Sequence, residues 1–352
     1  MAILITGGAG FIGSNFILNF LQNSKEDIVC LDKLSYAGNL DNLNEAKKKS
    51  NFVFVHCDIG NSKLVLETLT KFKPRAVINF AAETHVDRSI DSPKEFIDTN
   101  IVCTFNFLEA LRRYFDGLKS DLRDKFKILH VSTDEVYGTL KKNDPPFTEG
   151  NSYKPNSPYS ASKAASDHLF RSWHQTYNLP TLITNCSNNY GPYQFPEKFI
   201  PLFIINALNN DSLPIYGDGQ QIRDWLYVDD HCRGIMMVLE RGLLGETYNI
   251  GGNSEKTNLE VATILCETLD ELKPRNDGKS FKDKIIFIKD RPGHDRRYAI
   301  DISKINKQLN WAPLETFESG FLKTIKWYLN NMEWVKKIQS RNYKEWVNKH
   351  YK

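Results

Sequence analysis

Tyr159 and Lys163 stand four residues apart in Tyr159-Ser160-Ala161-Ser162-Lys163. On a helix that spacing puts both side chains on one face, a turn apart. A phenol titrates near pH ~10 and is a poor base at neutrality. A neighbouring ammonium favours the phenolate, so the pair could take a proton from an alcohol. Four-residue Tyr/Lys spacing also occurs by chance in many helices. Its weight depends on what lies upstream.

Upstream lies Gly7-Gly8-Ala9-Gly10-Phe11-Ile12-Gly13, directly after an apolar run and at the start of a helical pattern. Gly7 permits a tight strand-to-helix turn, Gly10 lets a pyrophosphate approach the backbone, and Gly13 lets the helix pack closely. The helix N-terminus then offers N–H groups and positive dipole to the phosphates. Asp32 ends the next apolar run, at the position where an acid meets a ribose hydroxyl. Its charge repels a 2′-phosphate, so NAD is expected rather than NADP. A bound nicotinamide is positive and would add to the pull of Lys163 on Tyr159. Hydride transfer from an alcohol carbon is the chemistry these groups share.

The elements that must hold these residues are legible as apolar runs. Ile3–Ile5, Ile28–Leu31, Phe52–Val55, Ala76–Phe80, Ile128–Val131 and Thr181–Thr184 read as buried parallel strands. Amphipathic segments near 11–22, 62–72, 95–116 and 160–177 alternate with them. The alternation predicts an α/β fold, a Rossmann-type doubly wound parallel sheet, with a smaller mixed α/β region. Residues 1–186 are expected to form the dinucleotide-binding domain, with the chain returning to it around 225–252. Residues 187–352 are expected to form mainly the second region. There, helical patterns near 198–209 and 258–272 are visible, Thr247–Ile250 could be a further strand, and 274–284 reads as a polar loop.

Composition narrows the class. Of 352 residues, 41% are hydrophobic and 25% charged, as in ordinary soluble globular proteins. No stretch approaches the roughly 18 apolar residues of a membrane span. A net charge of +3 is too slight to argue for nucleic acid. Lys47-Lys48-Lys49 reads as a solvated helix end. The six cysteines lie at 30, 57, 103, 186, 232 and 266, outside any CxxC spacing, and the eight histidines form no HxH or HxxxH pair. Reduced thiols in a cytoplasmic protein and no metal site are therefore expected.

The glycine motif, Asp32 and the Tyr159/Lys163 pair resemble those of the extended short-chain dehydrogenase/reductases. Further blocks resemble one branch, the dTDP-glucose 4,6-dehydratases. They are His85–Ser89, Ser132-Thr133-Asp134-Glu135-Val136-Tyr137-Gly138, Asn185–Pro192, Gln221–Trp225 and Asp290–Asp295. The resemblance spans almost the whole chain. It implies C4 oxidation of a nucleotide-linked glucose, loss of water across C5 and C6, and hydride return to C6. Glu135 is implied as the base at C5, Asp134 as the acid at C6, and Thr133 as a partner of the C4 oxygen beside Tyr159. A protonated Asp134 needs a raised pKa, which burial and a neighbouring carboxylate would supply. Adjacent strand residues face opposite ways, so the chain is predicted to leave strand geometry after Thr133.

The resemblance also implies contacts. Around NAD it places Phe11 and Ile12 of the loop, Lys33, Leu34 and Ser35 after Asp32, and Asp58 and Ile59 over the adenine. Phe80, Ala81, Ala82, Thr99 and Asn189 line the rest of the channel. Around the nucleotide sugar it places Thr84, Asn188, Lys198 and Phe199, then Pro214, Ile215 and Tyr216. Arg223, Asn258, Asp290, Arg291 and His294 complete that set, the arginines as phosphate clamps. The helical segments near 95–116 and 160–177 carry apolar residues on more than one face, and the resemblance implies that two such helices per subunit form a dimeric four-helix bundle, so a homodimer is expected. Two rivals remain at this point. A nucleotide-sugar 4-epimerase or decarboxylase would share NAD and the Tyr/Lys pair without needing Asp134 and Glu135. A non-catalytic NAD-binding regulator would not need to keep these groups.

Overall fold

The computed structural model describes residues 2–339. The six apolar runs form β1 (Ala2–Thr6), β2 (Asp27–Asp32), β3 (Phe52–His56), β4 (Ala76–Asn79), β5 (Lys127–Thr133) and β6 (Thr181–Cys186). Three strands follow in the second half: β7 (Asn188–Tyr190), β8 (Leu213–Tyr216) and β9 (Ile222–Tyr227). The last are β10 (Thr247–Ile250), β11 (Glu255–Thr257) and β12 (Ile285–Ile288). The main sheet has the order β10-β6-β5-β4-β1-β2-β3, and every neighbouring pair is parallel. The winding reverses between β1 and β4. In an open α/β sheet the ligand crevice lies outside the strand ends at that reversal.

Apolar packing covers both faces of the sheet. On one, Phe16 and Ile17 of the helix Phe11–Asn23 meet Ile235 and Val238 of the helix Val228–Arg241. On the other, Val65, Leu108 and Phe170 come from helices Ser62–Phe72, Thr104–Asp116 and Pro158–Tyr177. The long helix begins with a reciprocal Ser157/Ser160 capping box and Pro158 at its first turn. Those caps fix the helix start, and with it the direction of Tyr159 one residue later.

The structure differs from the sequence expectation in four places, the first being β3, which lies at the sheet edge with Val53 exposed rather than buried. The segment near 95–116 is not one regular helix. Pro93–Ile97 and Thr104–Asp116 flank a π-helical stretch, Asp98–Cys103. That widened turn places Thr99 on the cavity wall and Asn100 against Glu83 and Ser162. The chain also returns to the first region a second time, where Ile302, Ile305, Leu309 and Trp311 join its core. Finally, the 274–284 loop closes in a short 3-10 turn, Phe281–Lys284, anchored by buried Phe281. A separate core under the second region gathers Phe203, Ile215, Leu265 and Phe321. As expected, Lys48 and Lys49 are exposed just after the helix Asn44–Lys47.

Candidate active site

A cavity of about 280 Å³ runs along the reversal point from Asp58 to Lys198. Its floor is the glycine turn. Gly7 sits at φ +67°, and a Cβ there would lie 2.6 Å from the Ala81 backbone nitrogen. A Cβ on Gly13 would lie 2.5 Å from the Gly7 carbonyl, so this glycine packs the helix against the turn itself. Gly10 is different. Its Cβ would meet only the Gly7 oxygen, at 3.3 Å, which leaves its outer side open to the cavity. This is the cradle a pyrophosphate needs.

Asp32 forms part of the wall at the end of β2. Its two oxygens accept from the Ala9 N–H at 2.9 Å and the Leu34 N–H at 2.7 Å. Burial raises its pKa above the ordinary carboxylate value, while those two bonds pull the other way. Leu34 has φ 54° and contributes that N–H, but its side chain is not in the wall. Lys33, expected near the cofactor, donates to the hydroxyl of Thr99, also expected there, at 3.0 Å and lies 3.4 Å from Glu83. Phe11, Ile12, Ser35, Ile59, Phe80, Ala81, Ala82 and Asn189 complete the channel. The donors, the open glycine and the acid at β2 fit a dinucleotide.

The catalytic end is built by one change in chain direction. Thr133 is extended, with φ −140° and ψ 151°, and Asp134–Tyr137 then form a single 3-10 turn. The Thr133 hydroxyl accepts from the Glu135 N–H at 3.3 Å and caps the turn. Both Asp134 and Glu135 therefore reach the cavity with Thr133, Tyr159 and Lys163. Burial pushes the Asp134 carboxyl well up, and the Glu135 charge adds to the push. Glu135 is also raised by burial, opposed by the positive charges of Arg291, Arg223 and Lys198. Buried polar atoms here without a partner in the protein include Ser132 Oγ, Asp134 Oδ2 and Asn188 Oδ1. A polyhydroxyl ligand would satisfy such atoms.

One expectation needs correction. The Tyr159 phenol is pushed up, not down, by burial first and by the Glu135 charge next. The Thr133 hydroxyl opposes this. Burial also disfavours the Lys163 ammonium. Desolvation acts on every buried charge and cannot be read from four-residue spacing. The positive ring of a bound nicotinamide would oppose this upward push.

Not all expected substrate residues share this cavity. Thr84, Asn188 and Lys198 do, and Lys198 donates to the Thr84 carbonyl at 3.0 Å. Arg223 and Arg291 stand beyond Glu135 and act on its charge. Gln221, Asp290 and His294 form a linked group, with His294 Nδ1 2.6 Å from Asp290. Asn258 joins that group through its backbone N–H to the Gln221 carbonyl. Ile215 packs into the second core and Phe199 stacks on Trp225, so neither side chain forms the wall. Pro214 is buried beside Ile215 in β8, and the Tyr216 hydroxyl lies 3.5 Å from Asp87.

Sequence reasoning did not single out Tyr36, Gly38, Cys186, Phe195 and Glu197, all on the cavity wall. Arg88 grips Glu197 at 2.8 Å and stacks on the Tyr36 ring at 4.0 Å. Cys186 lay inside a motif block, but nothing local marks Glu197.

A dinucleotide cradle leading to a Tyr/Lys pair on a doubly wound sheet defines a site of the short-chain dehydrogenase/reductase type. The family model described as GDP-mannose 4,6 dehydratase matches residues 4–324. The chain is 52% identical to the dTDP-glucose 4,6-dehydratase of Salmonella typhimurium, over 100% of this chain and 99% of that one. The crystal structure of dTDP-glucose 4,6-dehydratase from Bacillus anthracis, in complex with NAD, superposes with a TM-score of 0.85 at 44% identity. That match covers 96% and 99% of the two chains. A UDP-glucose 4-epimerase from Thermotoga maritima superposes at 0.82 and 27% identity, covering 94% of this chain and 100% of its own. The chain belongs to the 4,6-dehydratase family and stands, within it, with the dTDP-glucose 4,6-dehydratases.

Proposed function

We propose that this protein is an NAD-dependent hydro-lyase that converts dTDP-glucose to dTDP-4-keto-6-deoxyglucose and water. The observation that carries the reading is the turn after Thr133, which brings Asp134 and Glu135 to the cavity of Tyr159. An epimerase shares the fold but has no use for this acid pair.

The glycine turn and Asp32 would hold NAD, which would supply the acceptor for the C4 hydride and its return to C6. Tyr159 takes the proton of the C4 hydroxyl, and Thr133 holds that oxygen. Lys163 stabilises the phenolate by charge. The C4 ketone makes the C5 proton acidic, and Glu135 removes it. Asp134, kept protonated by burial, protonates the C6 hydroxyl as it leaves as water. Glu135 then returns its proton to C5. Net redox change is zero, so NAD stays bound through the cycle.

The same reading divides the chain. Residues 1–186, with the return around 225–252, hold NAD. Residues 187–352 mainly hold the nucleotide sugar, through the arginine pair Arg223 and Arg291. A homodimer through a four-helix bundle belongs to the reading, supported by exposed Ile97, Val102 and Phe105 on the segment 93–116 and exposed Tyr177 on the helix Pro158–Tyr177. A cytoplasmic location belongs to it as well, supported by six unpaired cysteines. Among the described residues, no helix is long and apolar enough to cross a membrane.

Product mass tests the reaction. With dTDP-glucose the product is expected to be lighter by one water, and an unchanged mass would point to the epimerase. A panel of nucleotide glucoses tests the base. Glu135→Gln is expected to block exchange of the C5 hydrogen with deuterated solvent while sparing NAD binding, and undiminished exchange would remove Glu135 as the base.

A further inference from the structure

Behind Lys163 lies a buried polar cluster that the reaction as described does not use. Lys163, His130 and Asp167 are 3%, 1% and 2% exposed. Lys163 and Asp167 are four residues apart on one helix and share a face. Lys163 Nζ donates to the Val131 carbonyl at 2.9 Å and lies 3.4 Å from His130 Nε2. His130 Nε2 in turn lies 3.3 Å from Asp167 Oδ1, an oxygen with no hydrogen-bond partner in the protein. The other carboxylate oxygen accepts from the Tyr153 hydroxyl at 3.0 Å.

The chain of donors sets the histidine's tautomer. The Thr6 hydroxyl donates to Asn79 Oδ1 at 2.6 Å, which turns the Asn79 amide nitrogen toward His130 Nδ1 at 3.0 Å. Nδ1 must therefore accept, and Nε2 carries the hydrogen. That hydrogen cannot be matched by a second donor from Lys163. Its available acceptor is Asp167. Three strands, β1, β4 and β5, thus hold the ring with Nε2 between Lys163 Nζ at 3.4 Å and Asp167 Oδ1 at 3.3 Å.

The other titratable groups that face this cluster are shifted mainly by burial, each toward its neutral form. Burial lowers His130 to about 4, with the Lys163 charge adding to the shift. Burial pushes up the Cys186 thiol on β6 and the phenols of Tyr137 and Tyr153. Beyond Tyr159, Asp134 is raised well above the carboxylate range, and Glu135 is raised as well. From the π-helical stretch comes Asn100, which is uncharged. The Asp167 charge is the main influence that opposes the effect of burial on Lys163.

We propose that Asp167, oriented by His130, is the positioning residue that keeps Lys163 charged in its buried site and so lets Lys163 act on Tyr159. The inference rests on the Tyr159/Lys163 reading above. Without an anionic partner an ammonium this buried would favour its neutral form, and a neutral lysine gives the phenolate no help.

Asp167→Asn tests it, because two opposing effects give opposite signs. If Asp167 sustains the Lys163 charge, its loss neutralises Lys163, and the phenolate becomes harder to form. The acid limb of the rate profile then moves to higher pH, by about one unit. If Lys163 holds its charge unaided, removing a nearby anion makes the phenolate easier to form, and the limb moves down or stays. The NAD-loaded protein is read in two ways: by the pH dependence of dTDP-glucose turnover, and by tyrosinate absorbance without substrate, taken against Tyr159→Phe. An upward shift in both, reversed in Asp167→Glu, is the expected result. A lower rate with an unmoved or lowered limb would overturn the proposal. Asp167→Ser, small enough to admit water, carries the same test if the asparagine does not fold. Wild-type product mass is measured alongside, so a failure of the dehydratase reading is seen separately.

Discussion

Arg291 Nη1 lies 2.9 Å from Asp87 Oδ1, which ties the second region to the short helix Val86–Asp91 after β4. The guanidinium is not fully used by this pair, since its buried Nε has no partner in the protein. Arg223 stands close enough for the two positive charges to oppose each other. Two arginines with one carboxylate between the regions suit an arriving pyrophosphate.

Arg291→Lys should therefore raise KM for dTDP-glucose by about tenfold, because lysine keeps the charge but loses the planar fork. Arg291→Ala should do more. Arg291 is the largest influence holding Glu135 down against burial. Without it the Glu135 carboxylate forms only at higher pH, so the acid limb of C5 deuterium exchange should move up. Exchange followed by mass spectrometry across pH checks this. A KM effect with no change in the limb would leave Arg291 as a phosphate ligand alone.

Asp134 carries a stability consequence. Its pKa in the folded protein is raised by burial and by Glu135, and Oδ2 lacks a partner. A raised carboxyl gives stability that is full below its unfolded value near ~3.9 and is lost as pH rises toward the folded value. Asp134→Asn has no proton to lose. The variant should melt above the wild type at pH 7, and the gap in Tm should widen from pH 4 upward. Its kcat should fall by about a hundredfold to ten-thousandfold, the usual contribution of a positioned acid. Melting curves at several pH values with matched kinetics check both halves.

The glycine turn separates folding from cofactor binding. Gly7→Ala forces a Cβ to 2.6 Å from a backbone nitrogen at a positive φ, so the protein should fold poorly. Gly10→Ala meets only one carbonyl, at 3.3 Å, and the fold should survive. Its methyl would occupy the approach of the pyrophosphate. Purified Gly10→Ala should carry at least tenfold less NAD than wild type while keeping its circular dichroism spectrum. Equal NAD content would show that the phosphates pass elsewhere.

What was legible followed from burial pattern. Parallel strands covered on both faces read as unbroken apolar runs, so β1, β2, β4, β5 and β6 stood out, and β3 stood out by its apolar run alone although it is a half-exposed edge strand. β9 did not, because Arg223 and Asp224 sit inside it as buried charges. The helix Val228–Arg241 opens with Asp229 and Asp230, which hide its apolar face. The turn after Thr133 was inferable from two adjacent acids that had to reach one ligand. The pairing of Glu197 with Arg88 was not, since 109 residues separate them and neither lies in a periodic pattern. The upward shift of Tyr159 was hidden for a related reason. Its cause is the packing around the phenol, which motif spacing does not encode.

The helices Thr104–Asp116 and Pro158–Tyr177 lie side by side, and their outer faces carry an apolar strip. Phe105 meets the Trp173 ring edge at 5.9 Å, and Trp173 meets Tyr177 at 5.6 Å. Val102 and Ile97 are also exposed, on the segment just before Phe105 that carries Thr99 of the cavity wall. Val102, Phe105 and Tyr177 are each more than 40% exposed in the single chain. A contiguous strip of this kind on a monomer points to an interface, whereas scattered apolar residues do not. Two copies related by a two-fold axis would bury the strip against itself, four helices in all. Phe105→Asp should then halve the mass seen by sedimentation. Leu314→Asp, an exposed leucine away from the strip, should leave the mass unchanged. The widened turn at Asp98–Cys103 carries both Val102 and Thr99, so the Phe105 variant should also hold NAD less tightly. A wild type that sediments as a single chain would show that the strip serves some other contact.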